Sequence, residues 1–429
     1  MKFTAAGDVL IQRRIPEGFE GIEEIAPFIC QGDARFFNLE TTLHYEGECY
    51  ASQFSGGTYV RTDPEMLDDV LKFGFNMTSF NNNHTMDFSY EGMLRTLEEV
   101  NRRGLVNSGV GENLAQASAP QYLDTVNGRV ALIGVNSYFE PCMMAGNAGQ
   151  RVPGRPGING VRIEERIEVT AEQLQFIRQL SDLTGVNDTQ KIHRAQGYKA
   201  DLPDNVAEFG DLKFVVGEKP RQVKTLNEED MARIEKSIEE AKFQADYVLV
   251  SIHTHHLVGD REENVPEFMV DFAHRCIDAG ANAIIGHGPH LLRPIEVYKD
   301  CPIFYSLGDF VLELYSVAFG PEDFYNKQGL DSRSTIHELL KKRSKGFTIG
   351  LMEDERMLTA VVPYWETEGT KLKSLTLMPV TLTDKSSKAR HGLPRKAPAE
   401  KIAAYLGEMS APYGTKLSVT ADGLIKCQW

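Results

Sequence analysis

The sequence predicts an α/β protein built on a mostly parallel sheet. Two observations support this fold class. Short apolar runs alternate with amphipathic segments along the chain, and polar residues directly follow several of those runs. Because strand, helix and strand in succession favour parallel pairing, the alternation indicates a sheet covered by helices.

The first half of the chain supplies five predicted strands and two predicted helices. The strands are the buried runs Lys2–Ala6, Ala34–Leu39, Asn76–Phe80, Leu105–Ser108 and Val130–Val135. The helices are Pro64–Phe73 and Ser89–Arg103, which lie between the later strands. Proline at the start of the first helix suits the N-terminal turn.

The alternation stops after Asn136. Residues 140–223 are rich in Gly, Pro, Arg and Asn, with one helical stretch at Ala171–Leu180. This composition is too polar for a sizeable core of its own. We therefore expect an insertion folded over the scaffold, not a second independent domain.

The alternation returns at residue 227 and then changes character. Predicted helices are Asn227–Phe243, Val265–Ala279 and Pro398–Met409, and predicted strands are Tyr247–Ile252, Ala283–Ile285, Ile303–Ser306, Phe347–Met352, Leu358–Tyr364 and Leu372–Pro379. The last three strands have no helix between them, so we expect an antiparallel contribution.

Composition and charge exclude several classes of protein. The net charge of -15 comes from 46 Lys and Arg against 61 Asp and Glu, and no basic block interrupts it. Such a surface repels phosphate backbones, so nucleic acid is not an expected partner. No window approaches a membrane span of about 18 apolar residues. The start MKFTAAGDVL lacks a secretory signal, so we expect a cytoplasmic protein.

Candidate metal ligands fall at or just beyond the ends of predicted strands, where open α/β sheets bind their ligands. In chain order these segments are Gly7-Asp8, Asn38-Leu39-Glu40, Asn81–Asp87, His253–His256, Gly286–His290 and Tyr305–Phe310. Within the third segment, His84 and Asp87 suit an imidazole oriented by a carboxylate. Alternation along the strand sends His253 and His255 to the same side.

Structural roles explain some of these residues equally well. A turn accounts for Asp8 or Asp309 alone, and a solvated surface position accounts for Glu40 alone. Considered together, the segments supply carboxylates, an asparagine and several histidines at one edge of a sheet. Mixed nitrogen and oxygen ligands suit Mn, Fe, Zn or Co, whereas a calcium site would not use imidazole.

The order and spelling of these motifs resemble the capsule-synthesis CapA family of the calcineurin-like metallophosphoesterase superfamily. The matching stretches are GDV at Gly7–Val9, NLE at Asn38–Glu40, NNNHTMD at Asn81–Asp87, the His253 segment, GHGPH at Gly286–His290 and YSLGDF at Tyr305–Phe310. Further matches are Arg155-Pro156-Gly157, Val362-Pro363-Tyr364, Met409-Ser410 and Tyr413-Gly414-Thr415. The likeness spans nearly the whole chain.

The resemblance implies a four-layer sandwich of two mixed β-sheets flanked by helices, with two divalent metal ions at one edge. Residues 1–429 then form one such domain, in which residues 140–223 are an insertion covering the site and residues 346–429 complete the second sheet.

The same resemblance implies a role for each matched residue. Asp8 would bind one metal, Glu40 would bridge both, and Asn83 and His253 would hold the second. His287 and His290 would be divided between the two metals, while His255 and Asp309 are candidates for supporting positions. His84 would be the acid/base group, held by Asp87.

Three positions depart from the superfamily pattern. Leu10 stands where the first motif usually has His, two residues separate His287 from His290 instead of one, and Glu40 replaces a common Asp. These departures are compatible with the CapA branch and weaken a plain phosphatase interpretation.

The leading hypothesis is a metal-dependent hydrolase or transferase acting on an amide-linked or other small acidic substrate related to poly-γ-glutamate. Arg155, with Arg151 and Arg194, is a candidate to pair with substrate carboxylates, although a solvated surface explains these arginines as well. Two alternatives remain open. One is a non-catalytic polyglutamate-binding or assembly component, and the other is a small-molecule phosphoesterase.

Overall fold

A computed structural model describes residues 1–331 and 333–429 and divides them into two compact units. The scaffold unit comprises Met1–Val161 and Glu229–Trp429, and the inserted unit comprises Arg162–Glu228. The inserted unit lies mostly within the predicted insertion, residues 140–223, but begins about 22 residues after its predicted start and ends five residues beyond its predicted end. That this segment covers the site stays a prediction.

The secondary structure follows the predicted alternation over most of the chain. The strands are β1 Lys2–Leu10, β2 Ala34–Leu39, β3 Thr42–Leu43, β4 Arg61–Thr62, β5 Met77–Ser79, β6 Val106–Asn107, β7 Val110–Gly111, β8 Gln121–Thr125, β9 Gly128–Asn136, β10 Gly157–Ile158, β11 Ile163–Val169, β12 Val206–Phe209, β13 Leu212–Val216, β14 Arg221–Leu226, β15 Tyr247–His253, β16 Ala283–His287, β17 Leu292–Tyr298, β18 Cys301–Leu307, β19 Asp309–Leu312, β20 Thr359–Glu368, β21 Lys371–Thr381, β22 Arg395–Lys396, β23 Lys416–Val419 and β24 Ile425–Gln428. The helices are α1 Glu20–Ile29, α2 Met66–Leu71, α3 Ser89–Arg102, α4 Leu114–Ser118, α5 Ala171–Thr184, α6 Asp188–Ala195, α7 Glu228–Lys242, α8 Glu267–Ala279, α9 Glu322–Asn326, α10 Ile336–Arg343 and α11 Ala399–Ser410.

The first large sheet of the scaffold unit has the strand order β23-β24-β21-β20-β1-β2-β5-β6, with β19 also paired to β1. Strands β1, β2, β5 and β6 run parallel, and β19 is parallel to β1. Strand β20 is antiparallel to β1 and to β21. The sheet is therefore mixed, with its parallel half formed by the N-terminal strands.

The second large sheet has the order β17-β18-β16-β15-β9-β8. Its four central strands are parallel, and the edge strands β17 and β8 are antiparallel to their neighbours. The central strand β15 reads YVLVSIH and is buried at every position. A continuous buried run of this kind is typical of parallel strands covered on both faces.

The main core lies between the two sheets. Phe3 of β1 stacks on Trp365 of β20 at 5.1 Å between ring centroids and meets the edge of Tyr247 of β15 at 5.3 Å. Leu249 of β15 and Phe304 of β18 belong to the same buried cluster. Each fully buried side chain of this kind contributes about 1.5–3 kcal/mol to folding.

Helices cover the outer face of each sheet. Ile25 and Ile29 of α1 pack in one buried cluster with Val9 of β1 and Phe37 of β2. Helix α8 packs against β16 and β18. Two mixed sheets face each other between helical layers, so the predicted α/β sandwich is confirmed.

The C-terminal region differs from expectation at two points. Phe347–Met352 is not a strand, because Lys345, Gly346 and Phe347 take positive φ angles of 49°, 81° and 60° and turn the chain. We expected residues 346–429 to complete a second sheet. The structure pairs β20 with β1, so these strands extend the sheet that contains the N-terminal strands.

The inserted unit contains a small sheet with the order β12-β13-β11-β14. Val169, Leu174 and Ala207 form its buried cluster. The capping box of Thr170 and Gln173 starts α5, and Gly185 ends that helix in the left-handed conformation. This unit therefore has regular structure around a modest apolar centre.

Among the described residues, no helix is long and apolar enough to cross a membrane.

Candidate metal centre

The candidate ligands come from strand ends of both large sheets. Asp8 lies on β1, and Glu40 directly follows β2. His253 ends β15 and His287 ends β16, so these two histidines are Cα partners in the parallel register. The buried polar side chains at this edge are Asp8, Glu40, Asn83, His84, Asp87, His253, His287, His290 and Asp309.

The backbone around Asp8 explains how its side chain reaches the centre. A Cβ on Gly7 would stand 1.8 Å from the carbonyl oxygen of Gly308, so only glycine fits at this position. The close approach brings β1 beside β19, where Asp8 and Asp309 are Cα partners. The register is irregular on both sides of β1 at Asp8, as at a β-bulge, which often re-aims a side chain next to a functional site.

Glu40 lies at the middle of the cluster. Four histidine Nε2 atoms surround its Oε1 atom, at 3.6 to 3.9 Å. They belong to His84, His253, His255 and His290. These distances are too long for hydrogen bonds. Neither Glu40 oxygen has a hydrogen-bond partner among the described residues, although both are buried.

Asp8 is held by two donors that leave it facing the histidines. Asn38 Nδ2 donates to Asp8 Oδ1 at 2.7 Å, and the backbone N–H of Gly288 donates to Asp8 Oδ2 at 2.8 Å. His287 Nδ1 lies 3.4 Å from Asp8 Oδ1, and His253 Nδ1 lies 3.8 Å from it. The carboxylate is thus oriented by its neighbours and presented to two ring nitrogens.

His253 lies close to three other members of the cluster. Its Nδ1 atom lies 2.9 Å from His287 Nδ1, and its Nε2 atom lies 2.7 Å from Asn83 Oδ1. The same Nε2 atom is 3.0 Å from His255 Nε2. His255 therefore belongs to the inner group of atoms, although the resemblance suggested only a supporting position for it.

Asp309 and His290 form the remaining part of the cluster. His290 Nδ1 lies 2.9 Å from Asp309 Oδ1, and Asp309 Oδ2 is buried without a hydrogen-bond partner. Three overlapping groups have ligand atoms within 4.8 Å of one another. These groups are Asp8 with His253 and His287, Glu40 with His253 and His255, and Asp8 with Glu40, His290 and Asp309.

The electrostatics of the buried cluster favour a bound cation. Burial, reinforced by the charge of Asp309, raises the pKa of Asp8, and burial with the charges of Asp8 and Asp309 raises the pKa of Glu40. Burial lowers the pKa of His253 and His255, and it lowers the pKa of His287 to about 3. Histidine binds metal ions through the neutral imidazole, so the lowered pKa values keep these histidines in the form that binds metal.

The residues present fit a transition-metal site. A buried carboxylate without donors is costly unless a cation or a proton compensates it. Both Glu40 oxygens and Asp309 Oδ2 are in this position. The donors are imidazole nitrogens, carboxylate oxygens and the Asn83 amide oxygen, which is the mixed set that Mn, Fe, Zn and Co accept.

His84 and Asp87 form a separate pair at the rim of the cluster. His84 Nδ1 lies 2.7 Å from Asp87 Oδ2, and His84 Nε2 faces Glu40 at 3.9 Å. Asp87 also accepts hydrogen bonds from the backbone N–H groups of Gly56 and Val60, each at 2.9 Å. With Nδ1 donating to the carboxylate, the ring presents Nε2 to the cluster.

Two residues that orient the cluster were not predicted from the sequence. Asn38 binds Asp8, as described above, and Ser251 Oγ lies 2.7 Å from His287 Nε2. A signal for both was present, because Asn38 precedes Glu40 by two residues and Ser251 precedes His253 by two. Alternation along a strand places such pairs on the same face.

Among the described residues of the scaffold unit, Arg155 makes no hydrogen bond or ion pair with the cluster. Arg155 is exposed, and its Nε atom donates to the carbonyl oxygen of Met144 at 3.1 Å. Arg194, within the inserted unit, forms an ion pair with Glu208 at 2.6 Å. A substrate-binding role for Arg155 stays a prediction.

Comparison with known proteins adds family information to this geometry. Residues 2–313 match the family described as "Bacterial capsule synthesis protein PGA_cap". The chain is 32% identical to the uncharacterized protein y4sH of Sinorhizobium fredii (strain NBRC 101917 / NGR234) over 439 residues. That alignment covers 97% of this chain and 90% of the relative.

Two relatives carry names that refer to capsule or PGA biosynthesis. The capsule biosynthesis protein CapA of Bacillus anthracis is 23% identical, over 73% of this chain and 60% of that protein. The PGA biosynthesis protein CapA of Bacillus subtilis (strain 168) is 24% identical, over 72% of this chain and 62% of that protein. The alignments thus span about three fifths of each CapA protein.

Proposed function

The chain belongs to the PGA_cap family of bacterial capsule synthesis proteins, and on that premise we propose that it is a metal-dependent hydrolase or transferase with two metal ions. Its substrate is an amide-linked or other small acidic molecule related to poly-γ-glutamate. The surroundings of Glu40 carry this proposal. A buried carboxylate with no hydrogen-bond donor, enclosed by four ring nitrogens at 3.6 to 3.9 Å, is arranged for cations and not for packing.

We assign the three overlapping donor groups to two metal ions. Asp8 and Glu40 are the shared carboxylates, because each belongs to two of the three groups. His253 and His255 share one donor group with Glu40, and His290 and Asp309 share another with Glu40 and Asp8. The proposed metal ligands are Asp8, Glu40, Asn83, His253, His287 and His290, with His255 and Asp309 as additional candidates.

The protein residues around the centre have separate tasks. Paired cations in such sites polarise the attacked group and lower the pKa of bound water towards about 7. His84 donates a proton to the leaving group from Nε2, a contribution of about 10²–10⁴-fold in rate. Asp87 holds the His84 tautomer. Asn38 and the Gly288 N–H keep Asp8 oriented, and Ser251 does the same for His287.

The family and the names of the relatives support the proposed substrate class. Two relatives are named for capsule or PGA biosynthesis. A polyglutamate is an acidic polymer whose units are joined by amide bonds. It therefore contains both the amide bond and the carboxylates of the proposed substrate. We extend that chemistry to this chain as a substrate that offers an amide next to carboxylates.

Cleavage assays on the Mn²⁺-loaded chain test the proposal. The substrates are a γ-linked glutamate oligomer, followed by release of new amino groups, and p-nitrophenyl phosphate, followed by release of nitrophenol. We expect cleavage of the oligomer that falls by at least about 10²-fold in His84→Ala and is abolished in Asp8→Asn. His274→Asn is the matched control, because His274 pairs with Glu296 outside the cluster.

The other outcomes separate the alternatives. Binding of the oligomer without cleavage, unchanged in Asp8→Asn, would contradict the proposal and favour an assembly component. Cleavage of the phosphate ester alone would favour a phosphoesterase. Equal activity of the His84→Ala, Asp8→Asn and His274→Asn variants would exclude this cluster as the active site.

A further inference from the structure

A short glycine-containing loop, Ser55–Thr58, lies directly against the His84 pair. Asn83 Nδ2 donates to the carbonyl oxygen of Gly56, and the Gly56 N–H donates to Asp87 Oδ1, each at 2.9 Å. A Cβ on Gly56 would stand 2.6 Å from Asn83 Nδ2 and 2.8 Å from His84 Nδ1. The loop is therefore fixed to the candidate proton donor by two hydrogen bonds and by close contact.

The other side of this loop contacts Arg343, the last residue of α10. Arg343 Nη1 donates to Thr58 Oγ1 at 2.5 Å. A Cβ on Gly57 would stand 3.8 Å from Arg343 Nη2, and the guanidinium lies 6.0 Å from the centre of the Phe324 ring. Gly56 therefore faces His84 and the next residue, Gly57, faces Arg343, so the imidazole and the guanidinium lie beside adjacent residues of the loop.

Arg343 has no ion-pair partner among the described residues. Arg343 is exposed to solvent, and partial desolvation of its guanidinium lowers the pKa of Arg343. A guanidinium carries five N–H donors, and Thr58 is the one described partner for them. The chain has 61 acidic residues against 46 Lys and Arg, so a lack of carboxylates does not explain an unpaired arginine.

The helix dipole explains a positive charge at the position of Arg343 but not the direction in which the Arg343 side chain extends. Cations in the last turn of a helix interact favourably with the helix dipole, and Lys341 and Lys342 in the same turn of α10 already supply two. The Arg343 side chain instead extends to Thr58, which is 285 residues away in the sequence and nearly fully buried. Its free donors therefore remain beside the loop that holds His84.

We propose that Arg343, with the Thr58 hydroxyl, binds a carboxylate of the substrate beside His84. The inference rests on the proposed function for the identity of that substrate. A planar guanidinium matches a carboxylate through two parallel hydrogen bonds, which fixes the orientation of the bound group as well as its position. The centre would then hold the amide, and Arg343 would select substrates with a carboxylate next to it.

Calorimetric titration tests this assignment on the Mn²⁺-loaded full chain, with His84→Asn as the parent so that the peptide binds without cleavage. The probes are γ-linked triglutamate and the same peptide with its α-carboxylates converted to amides. We expect Arg343→Gln to weaken binding of triglutamate about 10–100-fold, the effect of lost charge-assisted hydrogen bonds. Binding of the amide should change less than about 2-fold, because a neutral amide gains little from the charge.

Two further variants make the result specific. Lys341→Gln removes an exposed charge from the same helical turn and should change the affinity for triglutamate less than about 2-fold. Arg343→Lys keeps the charge but loses the paired geometry, so its affinity should be intermediate. Equal binding of triglutamate by the parent and Arg343→Gln, equal loss for both peptides, or no binding by the parent would overturn the inference.

The same variants separate this inference from the proposed function. If native His84 gives no cleavage while binding still depends on Arg343, the hydrolase proposal fails and the carboxylate site stands. If the chain with native His84 cleaves triglutamate and Arg343→Gln leaves KM unchanged, the hydrolase proposal stands and the carboxylate site fails.

Discussion

Asp8 and Asp309 are direct partners across the parallel strands β1 and β19, although they lie 301 positions apart in the sequence. Both side chains are fully buried. Burial raises the pKa of each carboxyl, and the charge of Asp309 adds to the effect on Asp8. Two buried carboxylates on adjacent strands repel each other, and a cation between them and Glu40 would relieve that repulsion.

The first prediction concerns the contribution of Asp309 to metal affinity. Asp309→Asn removes one charge from this pair and the carboxylate contact to His290 Nδ1. We expect metal affinity to fall about 10–100-fold, the effect of losing a group that orients or supplements a ligand. Competition with a chelator of known affinity measures it. Asp124→Asn, at an exposed position, is the control, and equal retention in both variants would contradict the role of Asp309.

The second prediction concerns the orientation of His84 by Asp87. Asp87→Asn replaces the charged acceptor that His84 Nδ1 faces at 2.7 Å. We expect kcat to fall by up to about 10²–10⁴-fold, the range of an acid/base contribution, with metal content unchanged. Steady-state kinetics and metal analysis on the same preparation provide the test. A loss of metal that matches the loss of rate would instead make Asp87 a structural support.

These two residues also show how much of the site could be predicted from the sequence. The NNNHTMD segment and the histidines after two apolar strands were sufficient to select His84, Asp87 and His253. The observed strand β15, Tyr247–His253, agrees closely with the predicted run Tyr247–Ile252. Side chains alternate between the two faces of a strand, and polar residues follow the strand ends. Both patterns depend only on residues that are neighbours in the sequence, so they can be recognised in a single sequence.

Contacts between distant segments could not be predicted in the same way. The bond from Asn38 to Asp8 and the contact of Arg343 with Thr58 depend on how separate segments meet. Helix α1 was also missed, because Pro27 lies inside it and interrupts the helical pattern. Strand β17 was not predicted either, although it pairs with β18 as an antiparallel edge.

The third prediction tests the close approach of Gly7 to Gly308. Gly7→Ala places a methyl group 1.8 Å from a backbone oxygen, so β1 or β19 must move. We expect the free energy of unfolding to fall by about 1–3 kcal/mol or more, the cost of overpacking, with metal affinity lowered as well. Gly407→Ala is the control. It lies inside α11 with nearest contacts at 3.6 Å and should stabilise by about 1 kcal/mol.

Thermal and chemical unfolding distinguish the two glycine variants. Opposite signs for Gly7→Ala and Gly407→Ala support the packing argument. A Gly7→Ala protein as stable as the native chain would show that the strands tolerate separation at this point.

The fourth prediction concerns pH and Asp69, which is fully buried and lies away from the metal centre. Burial alone would raise the pKa of Asp69, but hydrogen bonds from Arg14 and Lys72 lower it to about 2. A carboxyl with a lowered folded-state pKa stabilises the protein above its unfolded value, near 3.8, and loses that effect as the pH falls towards 2.

Asp69→Asn should therefore lower the free energy of unfolding by about 1–2 kcal/mol at pH 7, after allowance for the exposure of Arg14 and Lys72. The difference from the native chain should narrow between pH 4 and pH 2. Asp68→Asn, at a half-exposed position in the same helix, should have a smaller effect. A difference that stays constant down to pH 2 would contradict the pKa shift of Asp69.

Metal content measured by plasma mass spectrometry tests the central claim most directly. The native chain is loaded with Mn²⁺ and passed over a desalting column, beside Glu40→Gln and a control at another buried glutamate, Glu313→Gln. We predict about two equivalents in the native chain and in the control, as in paired-metal enzymes, and fewer than about one in Glu40→Gln. No stoichiometric metal in the native chain, or equal content in all three proteins, would contradict the account.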